Sequence, residues 1–155
     1  MSKTWGPSCW FLFHSLATKV KDEEFSDIKN DIWSMITSIC MNLPCPECRS
    51  HATRIVNNAN KNIVLASRTN LERYLFDFHN SVNQRKRYKL FTWEEYTEKY
   101  KAANIINITY NFVAVFNQST RNSRMINDTF HRQIFIKRFV TWFEANKQKF
   151  NGPNM

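Results

Sequence analysis

Apolar residues recur at three- and four-residue steps through most of the chain, and this spacing predicts a series of amphipathic helices. The clearest stripe comprises Phe25, Ile28, Ile32, Met35, Ile36, Ile39 and Leu43. An earlier helix face, over residues 8–20, carries Trp10, Phe13, His14 and Ala17. Pro44 and Pro46 end the second helix, and Pro46 suits the first turn of a third.

The segments that follow continue this pattern. The third helix should carry Cys48, His51, Ala52, Ile55 and Val56 and end in the asparagine-rich stretch "NNANKN". Two capping boxes, Thr69 with Glu72 and Thr92 with Glu95, predict the starts of a fourth helix and a short fifth helix. The inner faces of these two helices should hold Leu71, Leu75, Phe78, His79 and Val82, and then Trp93, Tyr96 and Tyr100.

Beyond about residue 103 the pattern is mixed. The stretch "IINITYNFVAVF" alternates like a strand, but Ile105, Ile108, Phe112 and Phe116 also fit a helix, which we favour. Asp128 is placed to cap a final helix with an inward face of Phe130, Ile134, Phe139 and Trp142. We expect an all-α fold: a four-helix bundle with a short fifth helix over residues 1–103, and a helical extension over residues 104–155 that packs on the bundle or on a dimer partner.

Composition narrows the class of protein. A chain of 155 residues with 13 Phe and 5 Trp can bury one real core, and only 2 Gly and 4 Pro favour helices over a turn-rich sandwich. No apolar run is long enough to span a membrane, and "MSKTWGPSCW" does not resemble a signal peptide, so we expect a cytoplasmic rather than a secreted protein. The net charge of +9 is scattered, and no nucleic-acid-reading motif accompanies it.

The stretch "LPCPECRSHA" carries the most chemical information, and it permits three interpretations. Cys45, Cys48 and His51 have the spacing of zinc ligands, with a fourth ligand to come from Cys40, Cys9 or another histidine. Two packed, inert thiols are the second interpretation. The third is a redox dithiol, because the N-terminus of a helix lowers thiol pKa and lets one sulfur attack while the other resolves.

Two other stretches add groups that suit a cofactor. "WGPSCWFLFH" puts Trp10 and His14 one helical turn apart, and "FHNSVN" does the same for His79 and Asn83. With Asn80 and the basic run "QRKRYK", these are the groups needed to hold a flat heteroaromatic ring and its phosphates between helices.

In combination, "WGPSCWFLFH", "PCPEC" and "FHNSVN" resemble the Erv/Alr family of FAD-linked sulfhydryl oxidases. The extended forms "LPC-x-x-C-x-x-HA" and "FHN-x-VN-x-R", followed by "TWEEY", look most like the short members encoded by large DNA viruses. The resemblance covers roughly residues 5–100 and leaves the rest of the chain unassigned.

The resemblance implies an FAD at the mouth of the bundle. Cys45 would face the substrate and Cys48 would lie against the isoalloxazine. The remaining cofactor contacts that it implies are Gly6, Trp10, His14, His51, His79, Asn80, Val82, Asn83, Lys86, Lys89 and Trp93. No residue is expected to bind a metal.

The resemblance also implies a reaction and its partners. Client thiols, on proteins or on a small thioredoxin-like carrier, would reduce the Cys45–Cys48 disulfide. The electrons would pass through FAD to dioxygen and give hydrogen peroxide. A homodimer is usual in the family, and for a viral member the host cytoplasm or the virion would be the location. A basic helical nucleic-acid binder and a zinc-stabilised interaction module remain the alternatives.

Two features depart from the cellular members that the sequence resembles. Those members often have a structural cysteine shortly before "HN", whereas here "YLFDFHN" offers Phe76 and its neighbours for packing instead. They also have a shuttle disulfide on a tail, and the present sequence has no cysteine after Cys48. Cys9 and Cys40 lie at neighbouring helix ends within possible disulfide range, and we expect them to be two buried free thiols.

Overall fold

A computed structural model describes residues 5–119 and 126–155, and within these ranges the chain folds into helices joined by loops, as predicted. The helices are α1 (Trp5–Lys19), α2 (Asp22–Cys40), α3 (Pro46–Asn57), α4 (Lys61–Val64), α5 (Arg68–Lys86), α6 (Trp93–Lys101), α7 (Ile105–Ser119) and α8 (Ile126–Asn146), and a 3-10 turn (Lys147–Lys149) follows. The sequence did not predict the one-turn helix α4. In the described part of the chain, no helix is both long and apolar enough to cross a membrane.

Helix α1 lies at the centre of the molecule, with α2, α5, α6 and α7 packed around it. Its buried residues point in all directions rather than along one stripe, and they are Ser8, Cys9, Leu12, Phe13, His14, Ser15, Leu16, Ala17 and Lys19. A helix that is buried on all sides has to bury polar side chains together with apolar ones. The polar members of this set are therefore the first candidates for function.

The N-terminus of α5 differs from the prediction. The cap is Ser67, whose side chain accepts a hydrogen bond from the Asn70 N–H, so the predicted capping box of Thr69 with Glu72 is wrong. The earlier start places Arg68 within the helix, where its guanidinium donates to the Thr18 and Val20 carbonyls at 3.2 Å. A cation at the C-terminal end of α1 is favourable for the exposed carbonyls there. The second predicted capping box, Thr92 with Glu95 at the start of α6, is present.

The region after residue 103 is helical, which confirms the favoured alternative. Helix α7 packs along α1, and the Asn111 side-chain N–H donates to Ser8 Oγ at 3.3 Å. Ile105, Phe112 and Phe116 are buried in the main core, as the periodicity predicted. The C-terminal extension is therefore part of the same hydrophobic core as the first five helices.

Helix α8 runs antiparallel to α2, as three polar contacts show. The Arg132 guanidinium donates to the Asn42 carbonyl at 3.3 Å, and the Trp142 indole N–H donates to Asp31 at 3.0 Å. Beyond the end of α8, Lys149 forms an ion pair with Asp27 at 3.0 Å. Because the α2 partners descend in number as the α8 partners rise, α8 and the turn after it follow α2 in the opposite direction, from Asn42 to Asp27.

The predicted orientation of α8 was partly wrong. Asp128 lies inside α8, which begins at Ile126, so it does not cap the helix. Phe130 and Ile134 are exposed by 58% and 41%, whereas Phe139 is fully buried. The buried face instead comprises Arg132, Phe135, Ile136, Phe139 and Phe143. Apolar residues occur on nearly all sides of this helix, so its periodicity alone does not identify the inner face.

The C-terminal residues tie the ends of α1 and α6 together. The Asn151 N–H donates to the Lys19 carbonyl at 2.6 Å, and the Asn154 N–H donates to the Lys101 carbonyl at 2.9 Å. The buried Lys19 ammonium donates to the same Lys101 carbonyl at 2.7 Å. Burial and the neighbouring charges of Arg68 and Lys101 lower the pKa of Lys19.

We predict that Phe139→Ala lowers the free energy of unfolding by about 3–5 kcal/mol, because it removes a fully buried ring from the core. The matched control is Phe130→Ala on the same helix, which removes a ring that is 58% exposed and should change stability by less than about 1 kcal/mol. Urea denaturation of both variants checks this. Equal losses would mean that α8 is not oriented as described.

Candidate redox and cofactor site

Cys45 and Cys48 are joined by a disulfide at the start of α3. Cys45 is the N-cap residue, Pro46 occupies the first helical turn, and the Cα atoms of the two cysteines are 5.2 Å apart. Cys45 Sγ accepts a hydrogen bond from the Cys48 N–H at 3.2 Å. Free peptide N–H groups and the positive end of the helix dipole stabilise a thiolate here, which makes this disulfide suited to exchange.

The two sulfur atoms differ in surroundings. Both cysteines are half-buried, but Cys48 packs against the main core, whereas Cys45 is the N-cap residue in the loop that enters α3. The disulfide also bears on the zinc interpretation, because disulfide sulfurs offer no thiolate to a metal. Among the residues that the structure describes, no three His, Cys, Asp or Glu side chains form a group that could hold a metal ion.

Helices α1 and α5 bring three predicted cofactor residues together. The rings of Trp10 and His79 are stacked with their centroids 4.1 Å apart and their planes within 5°. His14 Nε2 and His79 Nδ1 share a hydrogen bond of 2.9 Å. Phe78 packs edge-on against Trp10 at 5.0 Å between centroids. The sequence placed these residues on inner faces, and the structure joins the two faces into one aromatic cluster.

Both histidines in this cluster have lowered pKa values. Burial, together with the nearby Lys99 ammonium, lowers the pKa of His79 to about 4. Burial, His79 and Lys99 lower the pKa of His14 well below its ordinary value. Both rings are therefore neutral near neutral pH, and one N–H of the pair donates to the other ring.

The second nitrogen of His14 has no partner among the described residues. His14 is 1% exposed, and its Nδ1 atom is buried without a hydrogen bond. If His14 donates to His79 through Nε2, its Nδ1 is an unmatched acceptor, and in the other tautomer Nδ1 is an unmatched donor. A buried polar atom in this condition is costly unless a ligand supplies the missing contact.

Three residues near the start of α6 and within it complete this cluster, and sequence reasoning did not assign them to the site. Phe91 lies edge-on to His79 at 4.9 Å between centroids, and Tyr100 lies against His14 at 4.7 Å. The Lys99 ammonium lies 4.6 Å from the centroid of the Phe11 ring. The sequence signals were the inner-face position of Tyr100 and, for Phe91, its place directly before the Thr92 cap, a position that often packs against the next helical turn.

The other residues predicted on α5 have more local roles. The Asn80 carboxamide both donates to the Phe91 carbonyl and accepts from the Phe91 N–H, each at 3.0 Å, and so holds Phe91 in place. Asn83 is buried near the end of the helix, and Val82 packs half-buried against the main core. Of the predicted α5 residues, His79 and Asn83 are the buried polar ones.

Positive charge collects where the C-terminal end of α5 faces α3. Burial lowers the pKa of the half-buried His51, and the charges of Arg85, Arg54 and Lys86 lower it further. These three cations are therefore close enough to act on one ring. Lys89 is exposed on the following loop, where its ammonium is 4.0 Å from Glu95. The arrangement favours an anion, such as a phosphate, beside His51.

Trp93 and Gly6 lie at the edges of the site. Trp93 packs against Phe76 and Tyr96 with centroids 5.3 Å and 4.9 Å apart, and the Arg73 guanidinium lies 3.9 Å over its ring. Phe76 thus fills its neighbourhood by packing, as expected. A Cβ built on Gly6 would meet nothing within 4 Å, so open space adjoins the start of α1.

Taken together, these residues fit the cofactor that the resemblance implies. Trp10 and His79 present flat rings, the buried His14 Nδ1 lacks a partner, and cations collect at the end of α5. A flat heteroaromatic ring system linked to phosphates would match each of these properties. Two of the predicted cofactor residues have their contacts elsewhere: Trp93 packs on Tyr96, and the Lys89 ammonium lies near Glu95.

Cys9 and Cys40 are both free and buried, which confirms the expectation for this pair. Burial, with Cys40 as a neighbour, raises the pKa of Cys9 well above its ordinary value. Burial raises the pKa of Cys40 to about 12. Thiols held in the protonated form are poor nucleophiles, so these two cysteines contrast with the pair at α3.

Comparison with known proteins finds one family. The Erv1 / Alr family model matches residues 7–101. A protein of African swine fever virus, isolate Warthog/Namibia/Wart80/1980, named FAD-linked sulfhydryl oxidase, is 31% identical over 107 residues, which is 68% of this chain and 87% of that protein. A protein of Invertebrate iridescent virus 3, provisionally named FAD-linked sulfhydryl oxidase 096R, is 35% identical over 83 residues, which is 54% of this chain and 56% of that protein.

No solved structure matches the chain. Among the relatives, the alignment with the iridescent virus protein spans only about half of that protein, whereas the alignment with the swine fever virus protein spans most of it. The family match includes the α3 disulfide, the aromatic cluster of α1 and α5, and all of α6. Because this match covers more than half of the sequence, the chain belongs to the Erv1 / Alr family.

Proposed function

We propose that the Cys45–Cys48 disulfide oxidises the thiols of client proteins and that the electrons leave through a bound FAD. Flavin-linked thiol oxidation, the activity predicted from the sequence, is supported by the family and by the names of the viral relatives. The observation that carries the proposal is the disulfide at the N-terminus of α3, with one sulfur against the core and the other in the loop. Dioxygen as the final acceptor and hydrogen peroxide as the product belong to the proposal.

The exchange reaction follows from the position of the two sulfurs. A client thiolate attacks Cys45 Sγ, the Cys45–Cys48 bond breaks, and Cys48 leaves as a thiolate. The second client thiolate then attacks the client sulfur of the mixed disulfide and expels Cys45 as a thiolate. The client has lost two electrons and two protons, and the protein holds the electrons as a dithiol.

The N-terminus of α3 stabilises both leaving groups, the Cys48 thiolate in the first step and the Cys45 thiolate in the second. The Cys48 N–H lies 3.2 Å from Cys45 Sγ, where it stabilises charge on Cys45 as this sulfur leaves the mixed disulfide. The dipole of α3 acts in the same direction on both sulfurs. Pro46 has no N–H and fixes its own backbone torsion, so the cap geometry is retained when the disulfide opens.

For the cofactor, we propose that Trp10, His14, His79 and Asn83 hold the ring systems and that Cys48 lies beside the isoalloxazine. Lys86, with its neighbour Arg85, would bind the phosphates near His51, and Gly6, Val82, Lys89 and Trp93 would contribute at the periphery. Asn80 would act by holding Phe91. When bound, FAD supplies a two-electron acceptor for the Cys45–Cys48 dithiol and a route from it to dioxygen.

The neutral state of the two histidines matters for this binding. A neutral imidazole has one donor nitrogen and one acceptor nitrogen. His14 and His79 can therefore form hydrogen bonds without placing a second positive charge next to Lys99. The buried His14 Nδ1 would gain a partner on the cofactor, and this contact would remove the cost of an unmatched polar atom.

The finer assignments are also proposals. We propose residues 1–103 as the oxidase unit and residues 104–155 as an extension of its core. The clients would be thiol proteins or a small thioredoxin-like carrier, the protein would form a homodimer, and it would act in the cytoplasm or, for a viral protein, in the virion. Family resemblance supports the oxidase unit, the clients and the homodimer, and the packing of Ile105, Phe112, Phe116 and Phe139 in the main core supports the extension.

We predict that the purified protein has a flavin absorption band and that Cys45→Ser and Cys48→Ser each abolish dithiothreitol oxidation while keeping that band. Both sulfurs are needed for exchange, and neither is needed to hold the ring. Oxygen consumption and the visible spectrum are the measurements. The control combines Cys9→Ala with Cys40→Ala and should retain oxidation of this small dithiol. Full turnover by either serine variant would refute the mechanism, and a colourless protein with stoichiometric zinc would refute the function.

We predict that His79→Ala and Asn83→Ala each weaken FAD binding by about tenfold, in line with the loss of one aromatic or hydrogen-bond contact. The control is Leu75→Ala, a fully buried change on the same helix that should destabilise the fold and leave FAD affinity unchanged. Titration of FAD into refolded protein gives the affinities. If all three variants lose stability and none loses affinity, the two residues have only a packing role.

We predict that acid destabilises the cofactor-free protein partly through His79. Its pKa is about 4 in the folded protein and about 6.5 when exposed, so between these values the unfolded chain binds a proton that the folded chain does not. Stability should fall by about 1–2 kcal/mol between about pH 6.5 and pH 5 from this group. His79→Gln should flatten that part of the pH dependence, measured by urea denaturation. The exposed His131→Gln serves as the control, and identical slopes for the two variants would contradict the prediction.

A further inference from the structure

Arg132 occupies an unusual position on the buried face of α8. It is 3% exposed, and the next buried positions on the same face are Phe135, Ile136 and Phe139. A guanidinium that is removed from water needs compensating polar contacts. One such contact is the hydrogen bond from Arg132 Nη1 to the Asn42 carbonyl oxygen at 3.3 Å. A charged residue therefore lies on an otherwise apolar buried face where α8 meets the end of α2.

The Asn42 carbonyl belongs to the loop that connects α2 to the redox disulfide. The last carbonyls of a helix lack partners within the helix and form the negative end of its dipole, so a cation beside them is favourable. The next carbonyl in this loop, that of Leu43, accepts a hydrogen bond from Arg49 Nη1 at 3.4 Å. Two guanidinium groups, one from α8 and one from α3, thus hold consecutive peptide groups directly before Pro44 and Cys45.

We propose that Arg132 is a positioning residue for thiol–disulfide exchange at Cys45, an inference that rests on the proposed function. Leu43 is 8% exposed, and the ring of Pro44 fixes its backbone torsion φ. Because neither residue can adjust easily, a displacement of Asn42 would also displace Cys45. A client thiolate must approach Cys45 Sγ in line with the sulfur–sulfur bond. Small errors in the orientation of the disulfide therefore reduce the rate.

This assignment concerns a part of the chain that the family match does not include. Arg132 lies beyond residues 7–101, and the helix that carries it packs on α2 through Trp142 and Asp31 as well. Because α8 also contacts α2 through Trp142, the position of Arg132 beside the loop is fixed by more than its own hydrogen bond. The C-terminal extension then contributes to the reaction in addition to the stability of the core.

The test compares four variants of the flavin-loaded protein in dithiothreitol oxidation. Arg132→Met should lower kcat/KM by about tenfold, because the Asn42 carbonyl, in the loop that carries Cys45, loses its hydrogen bond to the guanidinium. Arg132→Lys keeps a donor but not the planar guanidinium, so it should lose about threefold and lie between Arg132→Met and the parent. Arg138→Met, on the exposed side of α8, should have the kinetics of the parent.

The fourth variant separates positioning from a general loss of stability. Phe139→Leu disturbs the same buried face of α8 without touching the loop, and it should lower the urea midpoint while keeping kcat/KM. Parental kinetics in Arg132→Met, or an equal kinetic loss in Phe139→Leu, would overturn the inference. If Arg132→Met does not fold, parental kcat/KM in Arg132→Lys overturns it and the threefold loss supports it. Absence of oxidation in the parent itself would instead overturn the proposed function and this inference with it.

Discussion

The enclosure of α1 on all sides is the constraint on which the rest of the structure depends. With α2, α5, α6 and α7 packed around it, every polar side chain of this helix needs a partner from another helix. Ser8 has Asn111, and Lys19 has the Lys101 carbonyl. His14 has His79 for one nitrogen and no described residue for the other. Ser15 Oγ on the same helix is also buried without a hydrogen bond among the described residues. The unmatched His14 Nδ1 is the one of these two atoms that lies within the aromatic cluster, at the candidate cofactor site.

Local environment gives the four cysteines opposite properties. Cys9 and Cys40 lie within the core, where burial raises their pKa values and keeps the sulfurs protonated. Cys45 and Cys48 lie at the start of a helix, where a peptide N–H already points at one sulfur. Since a thiolate is the reactive species in exchange, the fold itself directs chemistry to one pair and protects the other.

The sequence predicted the helical fold and most of the buried residues because those depend on periodicity within one segment. It failed for Phe130 in α8, where apolar residues occur on nearly every side and no single stripe is favoured. It also missed the roles of Phe91 and Lys99, although it placed His14 and His79 on inner faces. Contacts between helices depend on how each helix is rotated against its neighbours, and periodicity within one helix carries no such information.

The C-terminal extension connects the two halves of the site. At one end, the guanidinium of Arg132 holds the loop before Cys45. At the other end, the Asn154 N–H shares the Lys101 carbonyl with the buried Lys19 ammonium, which fixes the end of α6. Helix α6 carries Lys99, which acts on both histidines of the aromatic cluster. Because α8 follows α2 between these two contacts, the redox loop and the cofactor wall are both joined to the C-terminal part of the chain.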